Sequence, residues 1–437
     1  MKEKKILQQQ ILAFFDSEKE NLLNLGSWFW KNPESGYREK KTSTMAIKTL
    51  QRLGLTVQQG LAITGFRTII DTGRPGPTVA VLGELDSLII PSHPDADPET
   101  GAVHACGHNA SLTALLGTAM ALAKTDLIEN LCGKIVLIGC PAEEGIEMEY
   151  RLDLIRQGRI KCISGKAELI CEGVFQDVDL AFMNHLSINY GYNDHNGCIN
   201  KKIIFHGKSC HAAFPEEGHN ALNAANLALH AIALLRESYS ASDKIRIHGI
   251  ISNGGDAVNV IPDTVAMEYM LRASTVQDIT SLNDRFDHIV LHAAMAAECE
   301  AESESIKGSL PLYDDPELGK IMENMVQIAD PGAPFDANGK YMCSCTDMGD
   351  VSVILPAIHG YVPGRSGCSH GKDYQIADPD KAYVKNAAVE TLMLLELLYG
   401  NAEKAKQIAT RKKDCMPIPK YIELIENLNR IASSKEM

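Results

Sequence analysis

The sequence predicts an α/β protein, with a large domain built on a mostly parallel sheet and a smaller ferredoxin-like α+β domain inserted into it. Three observations carry that expectation. The chain has 437 residues, and single hydrophobic cores stop growing near ~250–300 residues, so two domains are expected. Short Val/Ile/Leu-rich runs alternate with helical patterns in the first part, which is the order of a parallel sheet. In the middle the rhythm changes to β-α-β-β-α-β, the order of a two-layer ferredoxin-like sandwich.

Taken in order, Glu18 to Lys31 and Glu39 to Leu53 have amphipathic helical spacing, the second stopped by Gly54. Phe66 to Asp71, Thr78 to Leu82, Lys134 to Cys140 and Leu180 to Met183 read as strands, with a helix over Ser111 to Ala123 and Ser111 as its N-cap. Gly, Asn, Asp and Tyr between Gly191 and Gly197 mark a crossing between domains. The inserted domain runs over 196–307. Its strands are Cys198 to His206, Ile245 to Ile251, Val265 to Leu271 and Ser305 to Leu310, and its helices are Asn220 to Leu235 and Val276 to Cys299. The large domain then takes 1–195 and 308–437, resuming with a helix at Pro316 to Ile328, a strand at Val351 to Leu355 and a long helix at Asp380 to Tyr399.

A formal net charge of -14 leaves no basic field to condense on phosphates, which argues against nucleic acid and anionic membranes and for a small substrate. No run approaches the ~18 apolar residues of a membrane span, and the start lacks the pattern of an export signal. Twelve cysteines are scattered singly, many inside apolar patterns, which fits free thiols in a reducing cytoplasm. Cys343-Ser-Cys345 is the one close pair, and without a second pair it is weak evidence for a zinc knuckle.

Chemistry-bearing residues follow strand-like runs of the α/β portions, where open α/β sheets place their sites. His104-Ala-Cys106-Gly-His108 offers a thiolate and an imidazole on a glycine turn. Pro141-Ala-Glu143-Glu144 sets two carboxylates directly after an apolar strand, a costly place for charge unless a cation or a proton-transfer role compensates. His185 and His370 lie in two further segments. Each motif alone also has an ordinary reading, as packing, a solvated acidic turn or a hydrogen-bonded histidine. Together Cys106, His108, Glu144, His185 and His370 supply five N, O and S ligands, enough for two cations about 3.5–4 Å apart. A phosphate loop, His-Glu-x-x-His and a dinucleotide fingerprint are all absent.

With these segments the chain resembles the metal-dependent aminoacylase and carboxypeptidase superfamily. Within it the chain is similar to the amidohydrolase branch of hippurate, indole-acetyl-amino-acid and aminobenzoyl-glutamate hydrolases and the aminoacylase-like β-alanyl dipeptidases. The further segments that match are Gly207-Lys-Ser-Cys-His211-Ala-Ala, Gly254-Gly-Asp-Ala-Val-Asn259-Val-Ile-Pro-Asp263 and Asp347-Met-Gly-Asp-Val-Ser352. The resemblance implies that Cys106 bridges two divalent ions, zinc or manganese with cobalt as a further candidate. It implies that His108, Glu144, His185 and His370 complete the ligand set and that Glu143 is the general base. It implies that the inserted domain is a lid that mediates a homodimer or higher homo-oligomer. His211, assisting catalysis, and Asn259 match lid positions that reach the partner's active site, and Arg272 resembles a carboxylate-binding arginine. Asn109 departs from the Asp of many branch members. Glu84-Leu-Asp86 stands where the carboxypeptidases have His-x-Asp, so Asp86 reads as the residue that orients a ligand, while Glu84 is not counted among the ligands.

The expected activity is hydrolysis of the amide bond of an N-acyl or aminobenzoyl amino acid, or of a dipeptide-like substrate. Two other readings stay open at this level: a dipeptidase requiring a free amino group, and a non-catalytic protein holding a peptide-like ligand.

Overall fold

The computed structural model describes residues 2–337 and 341–436. It divides into two compact units. The first comprises Met1–Asp194, Tyr313–Tyr341 and Asp350–Ile418, and the second His195–Leu312, Met342–Gly349 and Pro419–Met437.

The first unit holds an eight-stranded sheet in the order Val57–Leu61, Gly65–Asp71, Lys134–Cys140, Thr78–Glu84, Leu180–Ser187, Ala357–Pro363, Tyr190–Tyr192, Phe335–Ala337. The four strands at its centre, from Lys134–Cys140 to Ala357–Pro363, run parallel to one another. Thr78–Glu84 is buried at every position, as a strand covered by helices on both faces must be. Against it lies the helix His108–Lys124, whose residues from His108 to Leu122 are all buried. A helix apolar all round belongs in a core rather than at a surface. It packs on the helix Asn386–Leu398, and the core runs on through Phe15, Phe29, Leu115, Phe182 and Leu392.

Two local expectations are corrected. The central helix begins at His108, with Gly107 before it at φ 97°, so Ser111 is not its N-cap. Ser111 lies inside the first turn, where its hydroxyl donates to the His108 carbonyl and accepts from the Glu84 amide at 3.1 Å. Val351 to Ile354 of the run Val351 to Leu355 lie in a helix, Met348–Ile354, and the strand is Ala357–Pro363, beyond Pro356. A short apolar run does not distinguish a buried strand from a buried helical turn.

The second unit is a five-stranded antiparallel sheet in the order Arg246–Asn253, Thr264–Ala273, Gly197–His206, Glu300–Ser309, Arg430–Ser433. Its first four strands and the helices Ala221–Leu235 and Val276–Ala296 form the β-α-β-β-α-β sandwich. The fifth strand comes from the C-terminal segment, which the sequence reading ran with the large domain. Arg430–Ser433 pairs with Glu302–Ser305 because a sheet edge offers an unpaired row of N–H and C=O groups to any segment able to extend along it. Among the described residues no helix is long and apolar enough to cross a membrane, and all twelve cysteines are free thiols.

Candidate metal centre

Five segments of the first unit converge at the C-terminal ends of its parallel strands. Glu84 ends Thr78–Glu84 and Asp86 follows it; Glu143 and Glu144 follow Lys134–Cys140; His185 lies in Leu180–Ser187. Cys106 and His108 enter from the turn that opens the buried helix. At Gly107 a Cβ would stand 2.6 Å from the Tyr374 hydroxyl and 2.7 Å from Leu186 Cβ, so the turn needs glycine both for its φ and for its closeness to neighbours. His370 takes a left-handed φ of 63°, and its amide donates to the Ala105 carbonyl at 3.0 Å, tying its loop to the Cys106 turn.

Cys106 Sγ lies 3.4 Å from His185 Nε2, and His370 Nε2 lies 3.4 Å from Glu144 Oε1. His108 Nε2 faces Glu84 Oε2 at 3.3 Å, Glu143 Oε2 at 3.7 Å and Glu144 Oε1 at 3.9 Å. Three overlapping triplets result: Cys106 with His108 and His185, Cys106 with Glu144 and His370, and Glu84 with His108 and Glu143. Both inner histidines are oriented from behind. His108 Nδ1 donates to Asp86, 3.0 Å from both its carbonyl and its Oδ1, and His185 Nδ1 donates to the Leu186 carbonyl at 3.0 Å. Each Nε2 is therefore the nitrogen turned toward the cluster.

The donor set fits a pair of divalent cations. Glu84 Oε2, His108 Nε2 and Glu144 Oε1 are buried with no hydrogen-bond partner among the described residues, and buried polar atoms are rarely left so. Sulfur, imidazole and carboxylate together suit zinc, and the oxygen-rich side accommodates manganese. Without a cation the electrostatics are lopsided. Burial pushes the Cys106 thiol and the Glu144 carboxyl up and takes His185 down to about 4. Burial is the largest influence on His108 and opposes its charge, but Glu84, Cys106 and Asp86 together outweigh it and hold the imidazole well above its ordinary value.

The five ligands expected from sequence and Glu143 are all in this cluster, with Asp86 behind His108. Glu84, set aside there because it replaces a histidine, is in it too. Its other oxygen accepts from the fully buried Lys166 at 2.6 Å. Its position directly after an apolar strand is the same signal that pointed to Glu143 and Glu144.

The remaining three candidates lie in the second unit. His211 and Asn259 are neighbours, since the Ala212 amide donates to the Asn259 carbonyl at 3.0 Å, and both side chains are exposed. Arg272 is apart from them, opposite Cys198 at the far end of the strand pair that joins Thr264 to His206. Its guanidinium rests on Met270 Sδ and donates to the Cys343 carbonyl at 3.1 Å. Cys343 and Cys345 have no place in the clustered ligand groups.

Comparison with known proteins gives this arrangement a lineage. Residues 193–298 match the model of a peptidase dimerisation domain, that of the M20 family. The human Xaa-Arg dipeptidase is 30% identical over 390 residues, covering 85% of this chain and 83% of that protein. The chain belongs to the M20 peptidase family. Its similarity to a p-aminobenzoyl-glutamate hydrolase polypeptide from Escherichia coli, 28% over 308 residues covering 67% of this chain and 60% of that protein, places it in the amidohydrolase branch of the family. A dinuclear metal-binding M20 peptidase from Bacillus subtilis shares the fold with a TM-score of 0.66, at 18% identity, over 88% of this chain and 99% of that one. The M20 chain described here is an amidohydrolase.

Proposed function

We propose that this M20 hydrolase cleaves the amide bond of a small N-acylated amino acid or dipeptide, with Glu143 as general base. Cys106, His108, Glu144, His185 and His370 would hold two divalent cations, zinc or manganese with cobalt as a further candidate, and Cys106 would be shared between them. The observation that carries the reading is the buried convergence of orphaned N and O lone pairs beside Glu143. When bound, the cations would supply Lewis-acid polarisation of the scissile carbonyl and a more acidic water. The protein's own groups do the rest. The Glu143 side chain is 12% exposed, so it reaches both the cluster and an incoming substrate. It takes the proton of the attacking water and returns it to the leaving amine. Asp86 keeps His108 in one tautomer.

His211 Nδ1 accepts from the Ala213 amide at 3.0 Å, which leaves the proton on Nε2, an outward donor suited to a developing oxyanion. We assign that donor to the active site of a partner in a homodimer, with Asn259 beside it and Arg272 as a contact for the substrate carboxylate. A reducing cytoplasm suits the free thiols.

A second reading, a dipeptidase that needs a free amino group, is favoured by the 30% identity to the human Xaa-Arg dipeptidase. The test of both offers aminobenzoyl-glutamate, hippurate, N-acetyl amino acids and free and N-capped dipeptides to metal-stripped protein, with and without Zn²⁺ or Mn²⁺. Metal-dependent release of an amino acid is expected, and preference for capped or free dipeptides separates the two. Glu143→Gln should lower kcat by about a hundredfold or more with both metals still bound. Silence of folded, metal-loaded protein across the panel would sink the assignment.

A further inference from the structure

The turn that carries Glu143 and Glu144 is gripped by two ionisable side chains that belong to no ligand group. Ala142, the residue before Glu143, has φ 52°. That left-handed conformation crowds a Cβ against its own backbone, so a non-glycine residue keeps it only where surrounding contacts dictate it. Here both ends of the residue are held. Its amide donates to Glu39 Oε1 at 2.8 Å. Its carbonyl accepts from Arg151 Nη1 at 3.2 Å and from the Gly165 amide at 3.2 Å.

Neither grip is an incidental surface contact. Glu39 is 0% exposed and Arg151 is 1% exposed, and burying such groups is unfavourable unless their hydrogen bonds are made. Glu39 uses its second oxygen to accept from the Thr64 hydroxyl at 2.6 Å. Arg151 Nη1 also donates to the Ile163 carbonyl at 2.6 Å, while its Nε and Nη2 have no hydrogen-bond partner among the described residues. The backbone makes room for this. At Gly36 a Cβ would meet Arg151 Nη2 at 2.4 Å and Ala142 Cα at 2.9 Å. Beyond the turn, the Glu144 amide donates to Asp86 Oδ2 at 2.9 Å. Glu143 thus lies between two anchored peptides, and the Ala142 peptide is anchored by Glu39 and Arg151.

We propose that Glu39 and Arg151 are positioning residues, which hold the Ala142 backbone left-handed so that the Glu143 carboxylate faces the ligand cluster. If Glu39 lets go, Ala142 relaxes toward negative φ and turns Glu143 away from His108, although no ligand has been removed. This inference rests on the reading of Glu143 as the base.

The test uses metal-loaded protein and four variants: Glu39→Ala, Glu39→Gln, Arg151→Met and Glu39→Ala combined with Glu143→Gln. Glu39→Ala and Arg151→Met should each lower kcat by about tenfold to a hundredfold, the usual result of misplacing a reacting group by about 1 Å. KM and the metal content measured by mass spectrometry should stay near wild type. Amide exchange of the 141–146 segment should quicken by at least about tenfold as its protecting bonds are lost. Glu39→Gln keeps an acceptor oxygen for the Ala142 amide and should stay close to wild type in both readouts. Glu39→Ala should cost nothing more on the Glu143→Gln background, because a residue acting through Glu143 has nothing left to position.

Unchanged kcat and exchange in Glu39→Ala and Arg151→Met would overturn the proposal. So would losses that merely track lost metal or folded protein, or an equal loss on the Glu143→Gln background. Should Glu39→Ala not fold, Arg151→Met and Glu39→Gln carry the same comparison. Full turnover by Glu143→Gln alone would sink the base assignment, an outcome distinct from any of these.

Discussion

Glu84 carries a full negative charge into a position with no exposure, and two cationic groups bear on it. The carboxyl is held below its ordinary value although burial opposes this, because Lys166 and His108 outweigh burial. Only one of its oxygens is bonded to Lys166; the other points at the cluster without a hydrogen bond. Lys166→Met should therefore destabilise the metal-stripped protein by about 3–5 kcal/mol, since it leaves a buried charge uncompensated. If a cation lies against the second oxygen, saturating Zn²⁺ or Mn²⁺ will recover part of that loss. Urea denaturation of the wild type and the variant, with and without metal, measures it, and an equal loss in the two conditions would separate Glu84 from the metals. At this scale the sequence disclosed residues whose type announces chemistry: Cys106, His108, Glu143, Glu144, His185 and His370. It did not disclose Glu39, Arg151 or Lys166. Arg151 lies among Glu147, Glu149, Asp153 and Arg156, a pattern that reads as a solvated face, and only tertiary packing makes it 1% exposed.

Elements were legible where a pattern was long or bounded. Lys134 to Cys140 has its observed limits, and the helices Ala221–Leu235 and Pro316–Ala329 begin and end within a residue of their expected spans. The failures share a physical origin. Val351 to Leu355 is too short to show a period, and the start of the buried helix depends on the left-handed Gly107 rather than on a capping side chain. The strand Arg430–Ser433 gave no signal because its four residues gain their structure only from the edge they cover. That edge strand makes its own prediction. Arg430 binds Asp284 at 2.5 Å and Asp287 at 3.1 Å, and the Ser434 hydroxyl accepts from the Ala301 amide. Truncation after Asn429 removes all of this and uncovers Glu302–Ser305. Amide exchange in 300–305 should rise to that of an unpaired edge, and the shortened protein should self-associate in proportion to concentration on size exclusion. Unchanged protection would mean that the C-terminal strand contributes nothing to the sheet.

At the scale of the whole molecule, the second unit ends its sheet on two unlike edge strands. On one side the edge is the four-residue Arg430–Ser433; on the other, the longer edge strand Arg246–Asn253 carries Ile250 at 58% exposure, and the helix Ala221–Leu235 carries Leu234 at 66%. Exposed apolar residues on a long unpaired edge mark an interface, and pairing of that same edge from two copies gives a closed two-fold dimer. The dimerisation-domain match over 193–298 agrees with that. If His211 acts on the partner's centre, two crippled proteins can repair one another. His211→Ala keeps Glu143 but offers its partner no donor, whereas Glu143→Gln keeps the donor but has no base. In a mixed dimer the His211→Ala centre has its own Glu143 and receives His211 from the other chain. After the two variants are mixed and allowed to exchange subunits, activity should climb from near zero to about a quarter of wild type, because about half of the dimers are mixed and each has one competent site. Activity that stays at the sum of the two variants, in a sample shown by mass spectrometry to hold mixed dimers, would place His211 at its own chain's site or at none.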